Sequence, residues 1–262
     1  MANKLTIDYI TVASTGNAGD FGDLRTQASN LMGSRNLGGY NGLLIGAYAG
    51  GYQGTTGISD EIEYVTMASL GNSAAWGELT NGGYQCGGLS NTLRGVRMGA
   101  MYQSDNDRID YITWANQGNA QDFGNCLNTN TGEISTHGCE STTRGVLMGG
   151  RLGSSNNYNF IETMEYITFS SNGNAQEFGD HYTYGLQQSY GSGRGPEGNY
   201  QGAGMSDGTR GEFWGGVVPD DSYPHRISTT GIQYITIAST GNSTDAGNLT
   251  EARHHMHTGQ GT

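Results

Sequence analysis

The chain has 262 residues, among them 46 glycines, 16 tyrosines and only 3 prolines, and its 24 acidic against 12 basic residues give a formal net charge of −12. Glycine far above its usual share of about 7% without proline excludes a collagen-like chain. A 10% aromatic content excludes a disordered one. Lys4 is the single lysine, so no basic face exists to displace counterions from nucleic acid or to dock on anionic lipid. No apolar run approaches the ~18 residues of a membrane-spanning helix.

Read from the start, Met1 to Tyr9 holds no hydrophobic stretch of the kind a secretory signal needs. A strand is predicted over Leu5 to Ala13, where Ile7, Tyr9 and Thr11 alternate with Asp8, Ile10 and Val12. Its phrase, Asp8-Tyr9-Ile10-Thr11, returns as Glu63-Tyr64-Val65-Thr66, Asp110-Tyr111-Ile112-Thr113, Glu165-Tyr166-Ile167-Thr168 and Gln233-Tyr234-Ile235-Thr236. Each copy is followed by Gly-Asn (Gly16, Gly71, Gly118, Gly173 and Gly241 with the next residue) and then by an aromatic-Gly pair at Phe21, Trp76, Phe123 and Phe178; Ala246 stands there in the last copy. The copies occupy residues near 8–24, 63–79, 110–126, 165–181 and 233–249. A second phrase lies between them: Arg94-Gly95-Val96-Arg97-Met98-Gly99, Arg144-Gly145-Val146-Leu147-Met148-Gly149 and Arg210-Gly211-Glu212-Phe213-Trp214-Gly215, with Asn41-Gly42-Leu43-Leu44-Ile45-Gly46 as a looser version.

The repeated tyrosines are 55, 47, 55 and 68 residues apart. Periods near 50 point to propeller blades, and no long i, i+3, i+4, i+7 apolar stripe marks a helix. One unit reads as four short strands. Strand A begins near Gly83-Tyr84-Gln85-Cys86, strand B is the Arg-Gly phrase, strand C the Tyr-Ile-Thr phrase, and strand D carries the aromatic that packs between blades. The glycines that end strand B let the backbone pass close to a neighbour.

The glycines ending strand B, the acid-Tyr pair on strand C and the later aromatic resemble the Kelch repeat. The wording is closer still to Kelch-like arrays of tailed bacteriophages, notably marine and cyanobacterial ones, where "IDYITIASTGNATDFGDL" and "TRGVFGGG" recur; Ala18 to Leu24 (AGDFGDL) fits that phrase. The resemblance covers essentially the whole chain and departs at Ala246, at Asn41 and in the insertion from Tyr182 to Tyr200. It implies an all-β fold, a single Kelch-like β-propeller over residues 1–262. The chain opens on strand C and ends on a strand A near Arg253 to Thr258, so the termini are expected to share one incomplete blade and close a ring of five. That blade lacks a strand B. It runs with three strands, the preferred reading, or Met1 to Lys4 fills the gap, or a strand from another protein completes the edge.

Candidate sites are few. His254-His255-Met256-His257 is the one cluster with metal-ligand chemistry; His255 and His257 share a strand face, but two imidazoles are an incomplete site, so no metal and no cofactor is expected. Asp8, Glu63, Asp110 and Glu165 recur at equal positions, which argues for a structural task such as pairing with Arg94, Arg144 or Arg210. Asp20, Asp122, Glu177 and Asp245 are read as turn formers bonding nearby backbone N–H groups. Cys86, Cys126 and Cys139, odd in number and without a CxxC, are read as buried small residues. Hydrolase, P-loop and zincin motifs are missing, as are sialidase boxes and a persuasive Cys-Tyr-His copper set. The loops Tyr182 to Tyr200 and Val217 to Ile227 have the Tyr-Gly-Ser composition of adaptable binding loops. Tyr190, Tyr223, His225, Trp114 and Trp214 are the binding candidates.

The resemblance implies a non-enzymatic phage virion protein: a tail, fibre or capsid-surface component that attaches to other virion proteins and meets a host-surface glycan or receptor. It would be assembled in the host cytoplasm, with no nucleic-acid partner and no membrane insertion, and it is compatible with a homo-oligomer. A lectin-like carbohydrate-binding propeller is the alternative. A polysaccharide-acting enzyme is the third, and it would need a carboxylate pair in a cleft.

Overall fold

A computed structural model describes residues 5–11, 13–25, 32–40, 43–52, 57–84, 86–100, 107–127, 137–152, 159–182, 202–219, 226–254 and 256. Every regular element among them is a β-strand, as expected where no helical apolar stripe runs and Tyr, Ile, Val and Thr supply the strands.

The first two strands, β1 (Thr6–Tyr9) and β2 (Gly19–Asp23), form a two-stranded sheet. Four antiparallel four-stranded sheets follow. Sheet I is β3 (Met32–Tyr40), β4 (Leu43–Ala49), β5 (Glu61–Thr66) and β6 (Ala74–Glu78), in that order. Sheet II is β7 (Gly87–Ser90), β8 (Arg94–Met98), β9 (Arg108–Thr113) and β10 (Gln121–Asn125). Sheet III joins β11 (His137–Glu140), β12 (Arg144–Met148), β15 (Thr163–Thr168) and β16 (Gln176–Asp180), with the small hairpin β13 (Arg151–Leu152) and β14 (Asn159–Phe160) interposed in the chain. Sheet IV joins β17 (Ala203–Ser206), β18 (Arg210–Trp214), β21 (Gly231–Thr236) and β22 (Thr244–Asn248), with the hairpin β19 (Val217–Pro219) and β20 (Arg226–Ser228) likewise interposed.

This is the four-strand unit of the repeat, with three differences from the sequence reading. Strand A of sheet II starts at Gly87, not Gly83. Gly83 instead bonds backward to sheet I, its carbonyl accepting from Gly51 N–H at 2.8 Å. Strand B of sheet I is aligned four residues later than the looser Asn41 version. Ile45 pairs with Thr66 as Arg94 pairs with Thr113, so Gly50-Gly51, not Gly46, match the glycines after strand B. A Cβ on Gly50 would overlap the Gly83 carbonyl oxygen, so close backbone approach sets this register. The first strand is also shorter than predicted, ending at Tyr9.

The aromatic-Gly phrase has a geometric cause. In each C–D pair the register slips by one residue, leaving Phe21, Trp76, Phe123, Phe178 and Ala246 as the extra residue of a bulge. A bulge re-aims one side chain. Here it turns the aromatic into the space between sheets, edge-on to the strand C tyrosine: Tyr64–Trp76 at 5.4 Å, Tyr111–Phe123 at 5.9 Å and Tyr166–Phe178 at 6.0 Å.

The core is correspondingly divided into inter-sheet clusters. One, with Ile45, Ile62, Trp76, Leu79 and Trp114, lies between sheets I and II. A second, with Leu89, Val96, Phe123, Leu147 and Phe169, lies between II and III. A third, with Cys139, Met148, Phe178, Phe213 and Ile237, lies between III and IV. Sheets II and III are therefore apolar on both faces, as stacked sheets require.

Candidate functional site

One junction recurs wherever a sheet meets its successor, and it absorbs most of the repeated polar residues. The Gly-Asn turn of one sheet crosses to strand D of the sheet before it. Gly71, Gly173 and Gly241 donate N–H to the carbonyls of Phe21 (2.8 Å), Phe123 (2.7 Å) and Phe178 (2.7 Å). The asparagine Oδ1 then accepts a backbone N–H from the same strand: Asn72 from Asp23 (3.0 Å), Asn119 from Glu78 (3.1 Å), Asn174 from Asn125 (3.1 Å) and Asn242 from Asp180 (3.0 Å). The glycines of strand D lie against this turn. A Cβ on Gly22, Gly77, Gly124 or Gly179 would overlap the carbonyl of the facing glycine.

The strand C acids belong to the same junction. Glu63 accepts from Arg25 N–H at 2.9 Å and from the Ser73 hydroxyl. Glu165 accepts from Leu127 N–H at 2.7 Å. Gln233 takes the same place with Tyr182 N–H at 2.8 Å and the Ser243 hydroxyl. Asp110 is one methylene shorter and accepts from the Thr80 hydroxyl instead. Its other oxygen pairs with Arg97, directly across strands β8 and β9, and Arg97 also donates to the Asn81 carbonyl at 3.1 Å. Arg97 and Asp110 are 2% and 1% exposed. The expectation of a structural task holds for Glu63, Asp110 and Glu165, though not through Arg94, Arg144 or Arg210, while Asp8 is exposed. Those arginines leave from the opposite face and stack on tyrosines: Arg94 on Tyr111 at 4.2 Å, Arg144 on Tyr166 at 4.6 Å and Arg210 on Tyr234 at 3.8 Å. Two of them reach the next sheet's turn, Arg94 to Asn172 Oδ1 (2.8 Å) and Arg144 to the Ala238 carbonyl (2.9 Å).

Burial raises the Glu165 carboxyl above its ordinary value, partly opposed by hydrogen bonds from Leu127 N–H and the Cys126 thiol. It also lowers His181, whose Nε2 is buried without a hydrogen-bond partner. Burial pushes the thiols of Cys126 and Cys139 well up, which makes them poor nucleophiles. A cavity of about 20 Å³ beside Arg97 and Asp110, lined also by Ala47, Ile62 and Leu79, has room for about one water. The reading of Asp20, Asp122, Glu177 and Asp245 as turn formers is corrected: they lie within strands β2, β10, β16 and β22 beside the bulge, and Asp245 there accepts from Gly247 N–H at 2.9 Å.

Two surfaces carry half a junction each. On the N-terminal sheet, Tyr9 is 41% and Ile10 66% exposed, and Asp8 is exposed. On β22, a Cβ at Gly247 would meet nothing within 4 Å, and Ala246 is exposed where Trp76, Phe123 and Phe178 are buried. Arg210 turns to Glu212 on its own strand at 3.2 Å.

The binding candidates fare unevenly. Trp114 is corrected: at 1% exposure, with its Nε1 donating to the Asn91 carbonyl at 2.9 Å, it is a core residue with no ring face open to a sugar. Trp214 is partly buried, and its Nε1 donates to Glu212 Oε2 at 3.1 Å. Tyr190, Tyr223, His225, His255 and His257 lie outside the described residues. His254 is exposed and its Nδ1 lies 2.7 Å from the Ser228 hydroxyl. Among the described residues no group of three or more His, Cys, Asp and Glu could hold a metal ion. The residues that sequence reasoning missed are Thr80, Arg97 and His181. Arg97 and His181 depart from their repeat-mates, and that departure is the signal that could have found them; Thr80 is matched by Thr250 at the same repeat position.

No protein-family model matches the chain, and no curated protein does. Among solved structures, one described as "Structure of YjhT" is similar with a TM-score of 0.69 at 10% identity, over 98% of this chain and 87% of that one. The likeness is of fold alone: the chain is all-β and built like a propeller.

Proposed function

We propose that the chain is a non-enzymatic virion protein of a tailed bacteriophage, a component of tail, fibre or capsid surface that attaches to other virion proteins and meets the host surface. In this reading its sheets close into a five-bladed ring in which the N- and C-terminal segments share one incomplete blade. The observation that carries it is the N-terminal sheet, which among the described residues has two strands and no strand beside β1, with Tyr9 and Ile10 exposed there. Unpaired edges with apolar side chains recruit a further strand, which gives the protein a means of attachment within the propeller itself. The placement of the repeated strand C acids is consistent with this. Glu63, Asp110 and Glu165 are engaged between sheets rather than facing one another across a cleft, as glycoside hydrolysis requires.

Quantitative mass spectrometry of purified particles from the parent phage tests it. The chain is expected at a fixed copy number per particle, and finding none of it there overturns the reading. A lectin-like role keeps one described candidate, the partly exposed Trp214. A glycan array on which Trp214→Ala lowers the signal would favour it.

A further inference from the structure

Resting on the five-bladed closure proposed above, we infer that β22 is the docking surface for the chain's own β1–β2 hairpin, and that Thr250 and Arg253 clasp Asp8 there. The argument is one of register. Leu249 and Arg253 repeat the backbone bonds of Leu79 and Gly83: Leu249 N–H to Thr230 and Leu79 N–H to Asp60 (both 2.7 Å), and Gly216 N–H to Arg253 and Gly51 N–H to Gly83 (both 2.8 Å). Thr250 thereby stands where Thr80 stands. The β1–β2 bulge matches that of β9–β10, so Asp8 stands where Asp110 stands and Ala18 where Ala120 does. The two loose ends of the chain thus carry the same threonine, aspartate and alanine as the junction between sheets I and II, and they are the only described pair that does.

One member of that junction is missing. Arg97 comes from strand B, and among the described residues the N-terminal sheet has none. The guanidinium has a second route. A Cβ placed on Gly83 would lie 3.0 Å from an Arg97 guanidinium nitrogen, so a side chain leaving the backbone at that position points into the space the Arg97 head group fills. Position 83 of this register is Arg253. In the structure Arg253 is exposed and pairs with Glu251 at 3.1 Å, an ion pair of little worth in solvent. On docking, its head group exchanges Glu251 for Asp8. The remaining junction bonds would have partners of the matching register. On docking, Gly16 N–H would meet the Ala246 carbonyl and Asn17 Oδ1 the Asn248 N–H, as Gly71 and Asn72 meet Phe21 and Asp23, and Arg210 would meet the Ala13 carbonyl, as Arg144 meets Ala238.

The test combines a cross-link with a mutant cycle on the full chain. Asn17→Cys with Asn248→Cys, oxidised under native conditions, is expected to give an intrachain disulfide, read as a faster-running monomer by non-reducing electrophoresis. Asp8→Asn and Arg253→Gln are each expected to lower Tm by a few degrees, and the double variant by no more than the larger single effect. An intrachain cross-link with additive Tm shifts overturns the Arg253 clasp and leaves five-bladed closure standing. A cross-link only between chains, or none, overturns both.

Discussion

Glu165 and Gln233 occupy one position in successive sheets, and they show what the site asks for: an acceptor for a backbone N–H. Charge is not required. Because burial holds the Glu165 carboxyl above its unfolded value, its contribution is fully present below the ordinary carboxylate range and is lost as pH rises through the folded value. Glu165→Gln cannot ionise. Thermal unfolding is expected to show Tm equal to or above wild type at pH 8, by about 1 kcal/mol at most, with the difference closing toward pH 4. His181 has the opposite sign. It fills the place of Leu79 and Leu249, and burial lowers it, so its contribution is present above the ordinary histidine value and lost as pH falls. His181→Leu is expected to raise stability by about 1–2 kcal/mol, the scale of an unsatisfied buried polar group, and to flatten the acid side of the Tm–pH curve. The sequence marked Glu165 by its repeat position and His181 only by its departure from the leucines there, and in neither case did it give the burial, because repeat position tells where a side chain goes and not how well it is solvated there.

Strand pairs show more clearly what periodicity reveals and hides. The Tyr-Ile-Thr, Gly-Asn and aromatic-Gly phrases mark β1, β5, β9, β15 and β21 and their bulged partners because each residue type answers a steric demand of the junction. Gly124 at φ +150° is the clearest: a Cβ there would overlap the Gly173 carbonyl, and both groups are backbone. Gly124→Ala is expected to cost about 3 kcal/mol, measured by urea unfolding, at the upper end of ordinary overpacking. The Arg-Gly phrase was a poorer guide. Its arginine serves by stacking on a strand C tyrosine and bridging to the next turn, and sheet I dispenses with it by placing Ile45 at that position. Alignment on arginine therefore slipped to Asn41. Arg144→Ala removes both the stack on Tyr166 and the bond to Ala238 and is expected to lower stability by about 1 kcal/mol, since each contact is partly solvated.

Across the molecule, stability follows the stacking. Sheets II and III have an apolar cluster on each face, whereas the N-terminal sheet contributes to none of the three described clusters. It also has two strands where the others have four. Docking on β22 would cover its face but would still leave the β1 edge without a strand B, because Arg253 supplies a side chain and not a strand. Local opening is easiest where buried contacts and paired backbone are fewest. In hydrogen exchange read by mass spectrometry, peptides spanning β1 and β2 are therefore expected to exchange about a hundredfold faster than those spanning β9 and β10, a factor equivalent to about 2.8 kcal/mol of local stability. The comparison is a fair one, since Asp8 and Asp110 share register and bulge and differ in the strand beside them. If β1 is instead as protected as β9 in the isolated chain, its edge is already paired and the attachment surface is occupied from within. If it becomes protected only when a partner protein is added, the β1 edge is where that protein binds.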